Sequence, residues 1–369
     1  MARRANAVAA LPRRLASNPY CELLYDHVEK LGVDVVDGRS GVRWLLRARR
    51  RVDVLHLHWP ERHFRQGSLA SAVGFALRLG LARLLRYRIV WTVHNAMPHE
   101  GASAGDRLVR RVLVRVAHLV VHCDAARATL GRAGRDAVVI PHGSYVGRYP
   151  NGITPTAARA RLGLEPEARV LLAFGQVRAY KNLDALTRAF AAVDAPDARL
   201  VIAGEPVCGT RLAPVADARI RLFLRHVADA EVQVFLNAAD LVVLPYRAVL
   251  TSGAAMLALS FGRGVVAPRL GCLAELERSG AVCLYDPDRA DGLEDALRRA
   301  LALDAAALGQ KARRFVRGLS WDAIARRHLT AYGFAPALAV IGAGRRLSAG
   351  RHAGTTRGTS QRAKDGLWT

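Results

Sequence analysis

The chain has 369 residues, of which 51% are hydrophobic and only 6% aromatic, and it carries a formal charge of +24 at pH 7. That length suits two ordinary domains, and no run reaches the roughly 20 uncharged apolar residues of a membrane-spanning helix. The five cysteines (Cys21, Cys123, Cys208, Cys272, Cys283) are scattered and lack CxxC spacing. Neither a disulfide framework nor a zinc site follows from that pattern, and a reducing cytoplasm is expected.

The charge is uneven. Residues 1–150 hold 25 cations and 11 acids, residues 151–335 hold 24 and 19, and residues 336–369 hold 6 and 1. A basic first half suits a phosphate-bearing lipid, an anionic membrane surface or nucleic acid. Low aromatic content, dispersed arginines and the lack of a binding module argue against a specific nucleic-acid partner. An Arg-rich residue bias is the alternative source of the charge.

In chain order, Met1–Leu11 begins like a secretory leader, but its apolar part is only about seven residues and charge follows at once. It reads instead as a first core strand. Strand-length apolar runs then recur near Val8–Leu11, Val33–Val36, Val52–Leu57, Ile89–Val93, Leu119–His122 and Ala137–Ile140. Beyond them come Val170–Phe174, Leu200–Ala203, Ile220–Leu224, Leu241–Leu244, Val265–Ala267 and Val282–Leu284. Amphipathic helical stretches separate most of them, which is the α/β signature of a parallel sheet. Pro141–Pro155, rich in Pro and Gly, reads as an interdomain linker. The expected organisation is therefore two doubly wound domains, 1–150 and 151–335, with 336–369 as a disordered basic tail.

Two turns in the second half suit phosphate. Phe174–Asp184 carries Gly175, which lets backbone approach closely, and Arg178 and Lys181, which can converge on one anion. Leu241–Pro268 runs strand, loop, helix, turn, strand, with Tyr246, Arg247, Thr251, Ser252, Gly253 and Ala254 in and just after the loop. A helix opening on small residues offers unpaired N–H groups and the positive end of its dipole.

The segments Asn18–Tyr25, Val52–Glu61, Val90–Asn95, Ile140–Gly143, Phe174–Asn182 and Leu244–Pro268 occur in an order that resembles the GT-B glycosyltransferases. Within them the chain is most similar to the xanthan-type GDP-mannose-dependent β-mannosyltransferases. The resemblance covers about residues 5–335 and implies two Rossmann-like domains facing across a cleft. It implies a sugar nucleotide held by the second domain and a glycan or lipid-linked acceptor held by the first. Carried over by position, Arg178 and Lys181 neutralise the diphosphate while Ser252, Gly253 and Ala254 present backbone amides to it. That charge stabilisation takes the place of a metal ion, so no metal and no cofactor are expected. Tyr246, Arg247 and Thr251 lie near the nucleotide or sugar. Val249 and Leu257 stand near positions where many retaining members carry glutamates, which leaves donor and stereochemistry open.

In the first half, His56 and His58 share a strand face, and the resemblance places His94 opposite the donor sugar. An imidazole there can bond a hydroxyl or accept a proton. Glu100 is the carboxylate expected to act as base in an inverting reaction, with Asp53 and Glu61 as further carboxylates. The basic segments Gly67–Arg88 and Arg107–Ala117 suit anionic lipid heads, so a cytoplasmic enzyme peripheral to the inner face of the plasma membrane is expected. The function expected is glycosyl transfer. A sugar-nucleotide epimerase or phosphorylase on the same fold is the alternative, followed by a catalytically inactive scaffold and a basic nucleic-acid-binding protein.

Overall fold

Apolar runs too short for helices, spaced by amphipathic stretches, can pair only in parallel through crossover helices. The computed structural model of the protein describes residues 6–334 apart from 17, 66, 96–101, 208 and 215. The expected basic tail 336–369 lies outside the described residues.

Twelve strands fall where the apolar runs predict them. The first sheet contains β1 (Ala7–Leu11), β2 (Asp34–Asp37), β3 (Val54–Leu57), β4 (Arg88–Thr92), β5 (His118–Val121) and β6 (Val138–Val139), in the order β2-β1-β3-β4-β5-β6. The second contains β7 (Arg169–Phe174), β8 (Ala198–Ala203), β9 (Ile220–Phe223), β10 (Leu241–Val243), β11 (Gly264–Pro268) and β12 (Val282–Tyr285), in the order β12-β11-β10-β7-β8-β9. All pairings between these strands are parallel. Every residue of β1, β3 and β11 is buried, because helices cover both faces; the runs are therefore apolar on both faces rather than alternating, with His56 of β3 the exception. Strand order reverses between β1 and β3, and again between β7 and β10, which are the places where such sheets open to ligands.

The last described helix, Trp321–Tyr332, follows the second sheet in sequence but packs on the first. Trp321, Ile324, Leu329 and Tyr332 join one core with Val8, Tyr20, Leu24 and Val90. Tyr332 bonds His56 Nδ1 at 2.8 Å, and Arg88 Nε donates to the Ala331 carbonyl. Gly143 lies under the Trp321 ring, where a Cβ would stand 2.4 Å from a ring carbon. The Pro141–Pro155 segment is thus packed rather than free. Trp321 Nε1 donates to Ser144 O at 2.6 Å, Ser144 N donates to Leu319 O, and Tyr145 N donates to Ser260 Oγ.

One expectation needs correcting. The cysteine spacing implies no disulfide, yet Cys123 and Cys272 are bonded, with Cα atoms 5.5 Å apart and 149 residues between them in sequence. Cys123 follows β5 and Cys272 follows β11, so the bond joins the two halves. Proximity of two strand ends across a cleft leaves no trace in local spacing. Glu275 Oε1 accepts the Ala125 N–H beside it, adding a second link. Cys21 and Cys283 are free thiols.

Candidate active site in the cleft

The reversal between β7 and β10 forms an open-mouthed cleft of about 870 Å³, counted with the solvent at its mouth. β7 ends at Phe174, and Gly175 turns the chain with φ +97°, a left-handed conformation that favours glycine. Beside it, Gly204 leaves room for the Gly175 carbonyl, which a Cβ would meet at 2.3 Å. Lys181 is buried, with Nζ donating to Phe174 O at 3.3 Å and lying 5.9 Å from the Tyr246 ring centroid. Burial, with Arg178 nearby, lowers its pKa to about 8. Arg178 lines the same cavity and bonds Gln176 Oε1.

Opposite, Leu244–Ser252 leads into the helix Gly253–Ser260. Ser252 caps it through its side chain, its Oγ accepting Ala255 N–H at 3.2 Å. The first amides, of Gly253 and Ala254, are those a helix leaves without internal acceptors, and both residues line the cavity. Tyr246, Thr251, Val249 and Leu257 line it too. Val249 and Leu257, near which the resemblance would place glutamates, therefore present apolar side chains to the cavity. Arg247 is exposed, is not among the lining residues, and its Nε donates to Asn182 Oδ1.

A second cavity of about 1190 Å³ shares Pro19, Tyr149, Phe174, Gly175 and Gln176 with the first. It adds Glu205, His226, Val227 and Asp229, from loops after β8 and β9 that sequence periodicity cannot place.

On the first sheet, the histidines form one hydrogen-bonded chain. His122 Nδ1 meets the Ile140 carbonyl at 2.9 Å, and His122 Nε2 meets His94 Nδ1 at 3.4 Å. His94 Nε2 meets His58 Nδ1 at 3.0 Å, and His58 Nε2 meets the Tyr25 hydroxyl at 2.7 Å. His56 Nδ1 faces Tyr25 and Tyr332, and its Nε2 faces Thr92 Oγ1. Burial, and mostly also the neighbouring imidazoles, push the pKa values of His56, His58 and His94 well below the ordinary value, and bring His122 to about 4. The rings are therefore neutral. A carbonyl only accepts, so His122 carries its proton on Nδ1. Its Nε2 then accepts from His94 Nδ1, His94 Nε2 accepts from His58 Nδ1, and His58 Nε2 accepts from Tyr25. One carbonyl fixes every tautomer along the chain, and both ring nitrogens of His94 are engaged.

The structure thus gathers Gly175, Arg178, Lys181, Tyr246, Thr251, Ser252, Gly253 and Ala254 around one cavity and places His94 across from them. Thr251 Oγ1 donates to His94 O at 2.9 Å. Glu100 lies outside the described residues. No group of three or more His, Cys, Asp or Glu side chains able to hold a metal ion occurs among the described residues.

Residues 168–303 match the family model described as glycosyl transferases group 1. The chain is 31% identical over 333 residues to the GDP-mannose:glycolipid 4-beta-D-mannosyltransferase of Xanthomonas campestris pv. campestris, covering 86% of this chain and 88% of that protein. It is 32% identical over 251 residues to the D-inositol 3-phosphate glycosyltransferase of Rhodococcus opacus, covering 63% of this chain and 54% of that protein. Among solved structures, Anabaena HepE in complex with UDP superposes with TM-score 0.68 at 16% identity, covering 89% of this chain and 99% of that one. Sucrose-phosphate synthase of Thermosynechococcus elongatus gives 0.66 at 18% identity, covering 89% and 98%. Two parallel six-stranded sheets flanking a cleft, with these similarities, make the chain a GT-B enzyme belonging to the group 1 glycosyltransferases.

Proposed function

We propose that the chain transfers mannose from GDP-mannose to a glycolipid acceptor in this cleft. The observation that carries the reading is the pairing of buried Lys181 with the helix start at Gly253 and Ala254 on one cavity at the β7/β10 reversal. In the displacement, an acceptor hydroxyl oxygen bonds to the sugar C1, and the bond from C1 to the phosphate oxygen breaks with its electron pair. Negative charge then grows on the diphosphate, which is what Lys181, Arg178 and the two amides are suited to hold. The similarity to a mannosyltransferase supports mannose. Glu205, in the adjoining cavity, supports guanine, whose N1–H and N2–H₂ donors suit a carboxylate.

His94 is retained as a residue of the first half facing the cleft, bonded on both nitrogens and so acting as a positioning group, and Glu100 remains the base proposed on the resemblance alone. The acceptor side is proposed to meet a membrane from its cytoplasmic face. Among the described residues no helix is long and apolar enough to cross a membrane. The helix Leu69–Leu84, however, exposes Leu69, Val73, Leu77 and Leu84 while burying Ala72, Phe75, Leu79 and Ala82.

Thermal shift against GDP-mannose, UDP-glucose, dTDP-glucose and ADP-glucose tests the donor, since a bound ligand raises the melting temperature. GDP-mannose is expected to give the largest rise, and no rise with any of the four would sink the reading. The diphosphate charge is assigned to the chain's own cations. Transfer is therefore expected to persist in EDTA, and loss restored by manganese would overturn that assignment.

A further inference from the structure

We propose that the Cys123–Cys272 bond is a redox lock on the donor cleft. Oxidised, it holds the loop before the helix Gly253–Ser260 against the first half and slows nucleotide exchange; reduction by a dithiol releases it. This rests on the glycosyl-transfer reading above.

The bond stands on the walls of the cleft. Cys123 follows β5 of the first sheet and Cys272 follows β11 of the second, so a motion that parts those strand ends must break it. Cys272 is also tied to the donor cavity. Its N–H donates to the Leu250 carbonyl at 2.8 Å. Gly271, with φ +49°, lies so close that a Cβ would meet the Val249 carbonyl oxygen at 2.5 Å and that of Leu250 at 2.7 Å. Val249 lines the cavity at the β7/β10 reversal, as do Thr251, Ser252, Gly253 and Ala254. Between them, Leu250 is buried in the core of the first half with Val93 and Cys123, and Cys272 packs against the same cluster. The loop belongs to the second half by sequence yet is anchored in the first.

Without the bond, the anchor consists of the Leu250 side chain, the bond from Thr251 Oγ1 to His94 O, and the bond from Ala125 N–H to Glu275 Oε1. Such contacts break and re-form as a protein opens locally, whereas a covalent tie does not. A transferase of two facing halves admits a donor and releases a nucleoside diphosphate in every turnover, and opening often limits such cycles. The lock therefore acts on exchange rather than on bond-making at the sugar.

The bond is within chemical reach. Cys123 is buried, but Cys272 is half-buried, and both line a pocket with Thr251, Ser252 and Glu275. A thiolate of the dithiol attacks Cys272 Sγ, and the S–S electron pair leaves on Cys123 Sγ, which takes up a proton. The second thiol then displaces Cys272 Sγ, which is protonated in turn, and the reductant departs as its own disulfide. Two electrons and two protons pass to the protein. In a reducing compartment disulfides are transient, which suits a switch rather than a permanent strut.

The test uses the whole chain, reduced with dithiothreitol or oxidised with diamide, with the thiols of each form counted by alkylation and mass spectrometry. Release of GDP carrying a fluorescent methylanthraniloyl group is followed by stopped flow. The oxidised form is expected to release it about tenfold more slowly than the reduced form. Cys123→Ser and Cys272→Ser should each release it at the reduced rate, with or without diamide. Hydrogen exchange needs no nucleotide, and the Ala125 and Cys272 amides should exchange about tenfold faster after reduction. Failure of the bond to form in diamide, equal hydrogen exchange in the two forms, or a diamide effect that persists in both variants would overturn the lock. Equal release from two forms that both bind GDP overturns its action on nucleotide exchange. If hydrogen exchange responds but neither form binds GDP, it is the donor reading that fails.

Discussion

Thr251 Oγ1 donates to the carbonyl oxygen of His94 across 2.9 Å, joining the loop before the helix Gly253–Ser260 of the second half to the end of β4 in the first. The bond ties the wall of the cavity at the β7/β10 reversal to the histidine chain of the first sheet. Both partners are fixed from behind, His94 by His58 and His122, and Thr251 by the capped helix that follows it.

Donor binding is expected to weaken as pH rises through about 8, where buried Lys181 loses its proton and its charge. Calorimetric titration of GDP-mannose from neutral to alkaline pH reads this directly. Lys181→Met should remove that dependence and lower kcat/KM by about 100-fold, because a fixed charge in a buried site contributes most to the leaving group. An unchanged affinity profile in the variant would show that another group titrates.

The buried histidines make stability depend on pH in one direction. Their folded pKa values lie below the ordinary 6.5, at about 4 for His122 and His328 and about 3 for His142. Unfolding therefore takes up protons below pH 6.5, so stability is level above that and falls as pH drops toward about 4. Each such ring contributes up to about 1.4 kcal/mol per pH unit. Melting curves from pH 8 downward should show a steep descent, made shallower in His122→Phe. A flat profile to pH 5 would contradict the neutral chain of rings.

The twelve strands were legible in the sequence as short apolar runs, continuous where helices cover both faces, as in β1 and β11, and broken by charge at the exposed edges, as in β2 and β9. The turns that line the cavity were legible for a similar reason, since Gly175, Lys181 and Ser252–Ala254 stand in short local segments. What the sequence could not show depends on distant pairs. The tautomers of three consecutive rings, His122, His94 and His58, follow from the Ile140 carbonyl, which no spacing links to His58. The Trp321–Tyr332 helix has an ordinary amphipathic pattern that does not say which sheet it covers.

The Cys123–Cys272 bond closes a loop of 149 residues in sequence separation, which in a chain-entropy account stabilises by roughly 4–5 kcal/mol. Cys123→Ser combined with Cys272→Ser should melt lower than the oxidised parent and match the parent treated with a reducing agent. Mass spectrometry of the unreduced, alkylated protein checks the pairing itself. Alkylation of both residues without reduction would show the bond absent.

Vesicle sedimentation tests the helix Leu69–Leu84. Binding to anionic vesicles should fall with salt and fall further in Leu77→Asp and Leu84→Asp, whose side chains are 70% and 79% exposed in the parent. Neither change should disturb folding, because neither side chain is in the core. Equal recovery of parent and variants in the supernatant would remove the membrane assignment.

The return of Trp321–Tyr332 to the first sheet means that the backbone passes between the halves twice, at Pro141–Pro155 and again before Trp321. The passages are hydrogen-bonded to each other, Ser144 N to Leu319 O and Trp321 Nε1 to Ser144 O. One strand would be a swivel, free in every direction; two side by side act like the pins of a door, leaving a single axis. The Cys123–Cys272 bond adds a covalent tie across the same pair of halves, away from the two backbone passages.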